Sequence, residues 1–207
     1  MDLNVQLKKQ RRKWHLVSLS LFAVLIILVL IAAAVGSVKL SLREVWHVFQ
    51  SKILGVESGN EAAQTIVWQL RLPRILLAAF VGAALSGAGV ALQGLFRNSL
   101  VDPYILGLSS GAAFGAALAV VLKLSWLIPA FAFLGGIFAT ALAYTLAQER
   151  GRVPVMRLLL SGVATSSFLS ALVSILMLKS QNNLQTIFLW LMGGFSGRSW
   201  PELFLVL

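Results

Sequence analysis

Arg71-Leu-Pro-Arg-Ile-Leu-Leu-Ala-Ala-Phe-Val-Gly-Ala-Ala-Leu-Ser-Gly-Ala-Gly-Val-Ala-Leu-Gln-Gly-Leu-Phe-Arg-Asn-Ser-Leu-Val-Asp-Pro103 decides how the rest of the chain is read. Two arginines bracket a proline, 22 uncharged residues follow from Ile75 to Phe96, and a polar turn closes the stretch. An apolar run of that length crosses a bilayer as a helix. Its small residues fall at helical spacing, with Ala83, Gly87 and Ala91 on one line and Gly82 and Ser86 on a neighbouring one. In lipid no hydrophobic force draws helices together, so small residues that let backbones approach mark packing faces. The helix is therefore expected to be buried among other helices rather than to face lipid.

Working outward, the whole composition agrees with a membrane solvent. Of 207 residues 58% are hydrophobic and only 12% charged, and the mean hydropathy is +0.88. A soluble domain of this size has no way to hide that much apolar surface. The net charge of +10 does not point to nucleic acid, because the basic residues sit at the ends of apolar runs, where they orient a membrane protein. With no cysteine in the chain, disulfides and thiolate metal sites are excluded. His15 and His47 lie far apart in sequence and read as interfacial residues, so no metal site is expected.

Upstream, Lys8, Lys9, Arg11, Arg12 and Lys13 precede 23 uncharged residues from Leu16 to Val38. That run exceeds the roughly 7–15-residue core of a signal peptide and reads as a retained first span. The cluster before it places the N-terminus in the cytoplasm. Residues 39 to 70 read as a connector outside the membrane. Within it Leu40, Leu42, Val45, Val48 and Phe49 alternate with charged positions, as in a short helix on the membrane surface, and Ser58-Gly-Asn60 reads as a loop. The second span is expected from Pro73 to Phe96.

Downstream, a third span is expected over about Ile105–Leu122, where Gly107, Gly111 and Gly115 form another close-packing line. A fourth follows over Trp126–Leu146, and a fifth over Leu158–Leu178 that carries six hydroxyls. Those hydroxyls either bond back to their own helix or line a water-filled path. Leu184–Phe195 is too short to span and reads as a short outer helix, and a sixth helix starts at Trp200. The fold class is thus an all-α bundle of transmembrane helices, five complete spans and the start of a sixth, treated as one domain over 1–207. With the N-terminus inside, nine Lys or Arg fall on the cytoplasmic side and eight outside. The tail beside the first span therefore carries the orientation, and the outer cations call for another role.

These residues support a family resemblance. Trp68-Gln-Leu-Arg71-Leu-Pro-Arg74, Val81-Gly-Ala-Ala-Leu-Ser-Gly-Ala-Gly89, Gln93, Arg97-Asn98, Asp102-Pro103 and Leu106-Gly-Leu-Ser-Ser-Gly-Ala112 resemble the permease family of bacterial ABC importers for iron-siderophores, haem and vitamin B12. Arg157-Leu-Leu-Leu-Ser-Gly-Val163 and Trp190-Leu-Met-Gly-Gly-Phe-Ser-Gly197 extend it along the chain. The resemblance implies about ten spans in a full permease, of which this chain matches the first half, apparently truncated before the cytoplasmic segment that couples to the ATPase. It implies a multi-pass protein of the bacterial inner membrane and a homodimer or paired permease chains around the path. The implied partners are a cytoplasmic ABC ATPase, which carries ATP and Mg, and an external substrate-binding protein. The chain itself binds no cofactor in this reading. Arg71 and Arg74 are the positions implied to receive carboxylates of the binding protein, for which guanidinium forks are suited; the alternative is two interfacial arginines that snorkel to phosphates. Asn98, Leu100, Val155 and Met156 are implied to form the cytoplasmic gate. Ser99 departs from the family's usual proline, which restores an N–H and a freer φ at that turn.

Other functions fit less well. The chain has no Gly-x-x-x-x-Gly-Lys-Ser/Thr loop and so is expected not to hydrolyse ATP by that route. A secondary transporter of a small organic solute is the alternative. Ion-coupled carriers bury ionisable groups at mid-membrane, and none of the five apolar runs contains one. An embedded enzyme needs acid, base, metal or nucleophile partners at depth, where only hydroxyls are present.

Overall fold

Apolar runs punctuated by Gly, Pro and charged residues leave little choice but helices, since a lipid-facing backbone must satisfy its own hydrogen bonds. The computed structural model describes residues 3–55, 60–99, 101–180 and 183–206. Eight helices run through them: α1 Leu3–Ala34, α2 Leu42–Leu54, α3 Glu61–Phe96, α4 Leu108–Val121, α5 Ile128–Ala147, α6 Val155–Lys179, α7 Leu184–Met192 and α8 Trp200–Val206. Short 3₁₀ turns at Pro103–Leu106 and Ser125–Leu127 lead into α4 and α5. Contacts divide the chain into two compact units, one of Met1–Val81 with Phe195–Leu207 and the other of Gly82–Gly194.

In the first unit the helices are held largely at their ends. A small core of Ala33, Val45, Val48, Ala63 and Val67 joins the last turn of α1 to α2 and the start of α3, with Leu40, Phe49, Trp68 and Ile75 packed around it. Ser41 and Glu44 form a reciprocal capping box at the start of α2, which satisfies two N–H groups that no helical carbonyl reaches. The Glu44 carboxylate accepts from the Ser41 backbone N–H and from its hydroxyl, both at 2.8 Å, and these bonds, the backbone one first, hold the carboxyl below its ordinary value of 4.5. Asn60 caps α3 in the same way, accepting from the Ala63 N–H at 3.0 Å.

The second unit is held by close packing. Along α4 Gly111, Gly115, Ala116, Ala117, Ala119 and Val120 are buried, and Gly111 and Gly115 lie against the backbone of α5 at Gly135 and Phe131; on α5 Ala132, Gly136, Ala139, Ala143 and Ala147 are buried. Ile187 of α7 and Val173 of α6 complete a core with Ala117 and Val120. The turn after α3 is a Schellman motif, with Arg97 N–H on Gly94 O at 3.3 Å and Asn98 N–H on Gln93 O at 3.1 Å. Arg97 takes the left-handed position at φ 49°, which glycine usually fills. The Glu149–Arg152 loop turns tightly through Arg150 and Gly151, both with positive φ. There the Arg157 guanidinium pairs with Glu149 at 3.1 Å.

Several boundaries differ from the sequence expectations. The basic cluster is not a separate tail, because α1 runs straight through it from Leu3. The second span does not begin at Pro73: α3 starts twelve residues earlier, at Glu61, so part of the expected connector is helix. The reason is a π-helical segment, Thr65–Arg71, in which Leu72 N–H donates to Val67 O. One extra residue in the turn lets a helix pass a proline, whose missing N–H and bulky ring break the ordinary ladder. Four helices are long and apolar enough to cross a membrane (Lys8–Ala34, Glu61–Phe96, Ser125–Ala147 and Val155–Lys179), while α4 is a shorter apolar helix of 14 residues. The expectation that the second span is buried is not met by the described residues. Gly82, Ala83, Ser86, Gly87 and Ala91 are all exposed. Spacing reports a capacity for close approach, and no helix among the described residues takes it up.

Candidate functional site

The residues singled out by sequence fall into three groups, two of them at helix ends. In the first group, around Arg71 and Arg74, the π turn sets the local geometry. In the shifted register the next donor for the Trp68 carbonyl would be Pro73, which has no N–H. The Trp200 indole Nε1–H donates to that oxygen instead, at 3.0 Å. Trp200 also stacks into a ring ladder, 5.7 Å from Trp68 and 6.1 Å from Phe204, while Phe49 meets Trp68 edge-on at 6.3 Å. Sequence reasoning quoted Trp68 and Trp200 only as part of segments; no spacing pattern links positions 132 residues apart.

Arg71 and Arg74 lie one turn apart on α3, both half-buried. Their bonding differs. Arg71 Nη1 donates to Ala33 O at 2.6 Å and Ala34 O at 2.9 Å, and its Nη2 donates to Val38 O. Arg74 uses Nε, which donates to Arg198 O at 3.2 Å. Among the described residues no hydrogen bond engages the two terminal nitrogens of Arg74, so the end of its fork remains available for a carboxylate. Neither arginine pairs with an acidic residue among those described.

The second group is looser. Asn98 closes the Schellman turn of α3, and Val155 and Met156 open α6 behind Pro154, all three exposed. Leu100 lies outside the described residues. The Asp102 side chain accepts from the Tyr104 N–H at 2.7 Å and caps the 3₁₀ turn whose first residue is Pro103.

The third group consists of small residues and hydroxyls. A Cβ at Gly111 would meet the Gly135 carbonyl and Ala139, and one at Gly115 would meet the Phe131 carbonyl. Gly107 sits at φ +82°, where a Cβ would touch Ser166 and Thr165 at 3.5 Å. By contrast a Cβ at Gly82 or Gly87 would meet nothing within 4 Å. Of the α6 hydroxyls, Ser167 and Ser174 bond back to their own helix. Ser161 bridges to Ala143 O on α5 at 2.7 Å. Thr165, 2% exposed, is left with an unpartnered hydroxyl among the described residues. No cluster of His, Asp or Glu able to hold a metal occurs among the described residues.

Comparison with known proteins gives these features a context. The family model described as the FecCD transport family matches residues 24–207. The chain is 45% identical over 145 residues to the cobalamin import system permease protein BtuC of Halobacterium salinarum, covering 69% of this chain and 39% of that one. It is 36% identical over 182 residues to the molybdate import system permease protein MolB of Haemophilus influenzae, covering 86% of this chain and 54% of the relative. Among solved structures it is similar to an ABC transporter described as metal-chelate type, in an inward-facing conformation. The TM-score is 0.74 at 34% identity, covering 90% of this chain and 56% of the other. The chain thus spans about half the length of the curated relatives it matches.

Proposed function

The chain belongs to the FecCD transport family, and on that footing we propose that it is part of the membrane-spanning permease of an ATP-driven importer. The observation that carries this reading is the family match over residues 24–207 together with the likeness to an ABC transporter structure. In this reading the helices contribute to a translocation path for an iron(III)-siderophore, haem or cobalamin. Cargo comes from an external binding protein, and energy comes from a separate ATPase that holds ATP and Mg. The permease sits in the cell membrane with its N-terminus in the cytoplasm, five spans and a sixth begun, and works as a pair of permease chains. The relatives' names include cobalamin and molybdate, solutes that differ greatly in size, so family membership alone leaves the cargo open.

The binding protein docks at the Arg71–Arg74 end, and Arg74 is the better contact because its terminal nitrogens carry no bond among the described residues. The exposed turn of Asn98 and the start of α6 at Val155 and Met156, with Leu100, form the cytoplasmic gate. The deciding experiment is reconstitution of the complete permease with its copurifying ATPase and the binding protein. Binding protein should stimulate ATP hydrolysis, and Arg74→Glu should abolish that stimulation by removing a docking cation while membrane insertion is unchanged. Uptake driven by an ion gradient without any ATPase would replace this reading with a secondary carrier.

A further inference from the structure

The two arginines of the Arg71-Leu-Pro-Arg74 motif are equivalent in sequence and different in place. α1 ends at Ala34 with no basic residue in its last turn. The last carbonyls of a helix have no partner within it, and they form the negative end of its dipole. Arg71, 37 residues further along the chain, brings donors to that end, where the Ala34 carbonyl also accepts from the Leu40 N–H at 3.2 Å. Its guanidinium donates to Ala33 O, Ala34 O and Val38 O. A planar fork with several fixed donors can bridge three such oxygens at once, whereas an ammonium cannot match that geometry.

Gly36 is the seat for this group. A Cβ there would lie 2.6 Å from Arg71 Nη2, 2.9 Å from Cζ and 3.2 Å from Nε, and the three nearest atoms it would meet all belong to Arg71. The attachment matters because α1 has little else to hold it. Of its apolar window only 6% is buried within the structure, and among the described residues α1 meets the core of the first unit at its last turn, through Ala33 and the partly buried Ala34.

We propose that Arg71 is a positioning residue that clamps the outer end of the first span to the π turn of α3, with Gly36 kept small to seat its guanidinium. The clamp divides the motif: Arg71 acts on α1, and Arg74 is left to face a partner. It does not depend on the transport reading, because it is measurable in the chain alone.

The chain has no cysteine, so Ser37→Cys introduces a single thiol beside the seat for a nitroxide label. In lipid vesicles the label should be restrained in the parent and freely mobile in Arg71→Ala. Arg71→Lys should stay mobile, because charge without the fork does not rebuild the clamp. Gly36→Ala, a mild change that leaves the rest of the unit untouched, should loosen the label as well. Combining Gly36→Ala with Arg71→Ala should add nothing, and Arg74→Ala should leave the label restrained. A label as restrained in Arg71→Ala as in the parent, one restored by lysine, or additive loosening by the two substitutions would each overturn the proposal. Loss of binding-protein stimulation in Arg74→Glu bears on docking alone, so the two ideas fail separately.

Discussion

The two units of this chain are built on opposite chemistry. In the second, backbones of α4 and α5 meet through Gly111, Gly115 and Gly135 with almost no side chain between them. In the first, the recurring device is a polar group at a helix end. Arg71 binds the carbonyls of the last turn of α1, Trp200 the freed carbonyl of Trp68, Ser41 and Glu44 cap each other, and at α8 the Glu202 carboxylate accepts from the Ser199 N–H and hydroxyl. The difference follows from the solvent. At membrane depth dispersion and shape are what remain to hold helices together, and small residues increase both. Near the headgroups, helix ends present unmet N–H and C=O groups, and polar side chains can reach them at modest cost.

Breaking the packed unit should have the largest effect. Gly111→Leu forces a bulky side chain against the Gly135 backbone and should cost about 3 kcal/mol or more, read as loss of the folded chain in detergent. Gly87→Leu meets open space and should leave the isolated chain's stability unchanged, although both glycines belong to similar lines in sequence. An equal loss for both would erase the contrast between the two lines.

The capped unit should yield less to a single change. Trp200→Phe keeps an aromatic ring for the ladder but leaves the Trp68 carbonyl without its donor, and should cost about 1–3 kcal/mol in thermal melts. Unchanged stability would mean that water serves that oxygen equally well.

The smallest effect should be a dependence on acid. Glu44 titrates below its ordinary value of 4.5 in the folded chain, so it contributes stability that is fully present above that value. The contribution is lost as pH falls through the lower folded value. The protection of the Ser41 backbone amide, taken relative to the intrinsic exchange rate at each pH, should fall on acidification below about pH 4.5, and Glu44→Gln should remove that pH dependence. A parent that shows no change there would take the capping box out of the account.

Much of the fold was legible from residue type alone. Runs such as Val155–Lys179 and Ile128–Ala147 were placed within a few residues, because lipid leaves an apolar segment only the helix. Of the Gly107-Gly111-Gly115 line, Gly111 and Gly115 lie where a Cβ would run into the α5 backbone, and Gly107 takes a left-handed turn just before α4. Misplacement came where a backbone device intervened. Pro73 looked like the start of a helix because its missing N–H is harmless there, and nothing in the sequence announces that a π turn lets the helix run through it. The small face of α3 was taken as buried, yet it is exposed among the described residues. Periodicity gives a helix a face but not a neighbour.

By itself the sequence determined the class: helices, lipid as their solvent, the order of the apolar segments, and two arginines set one turn apart. The tertiary structure decided what each arginine touches. Arg71 reaches the last two carbonyls of a helix that ends 37 residues earlier and the Val38 carbonyl just beyond it, and Arg74 leans on Arg198, 124 residues away. Hydropathy and spacing act over a few turns of one helix, whereas a guanidinium's partners depend on which distant carbonyls the fold brings within hydrogen-bond distance.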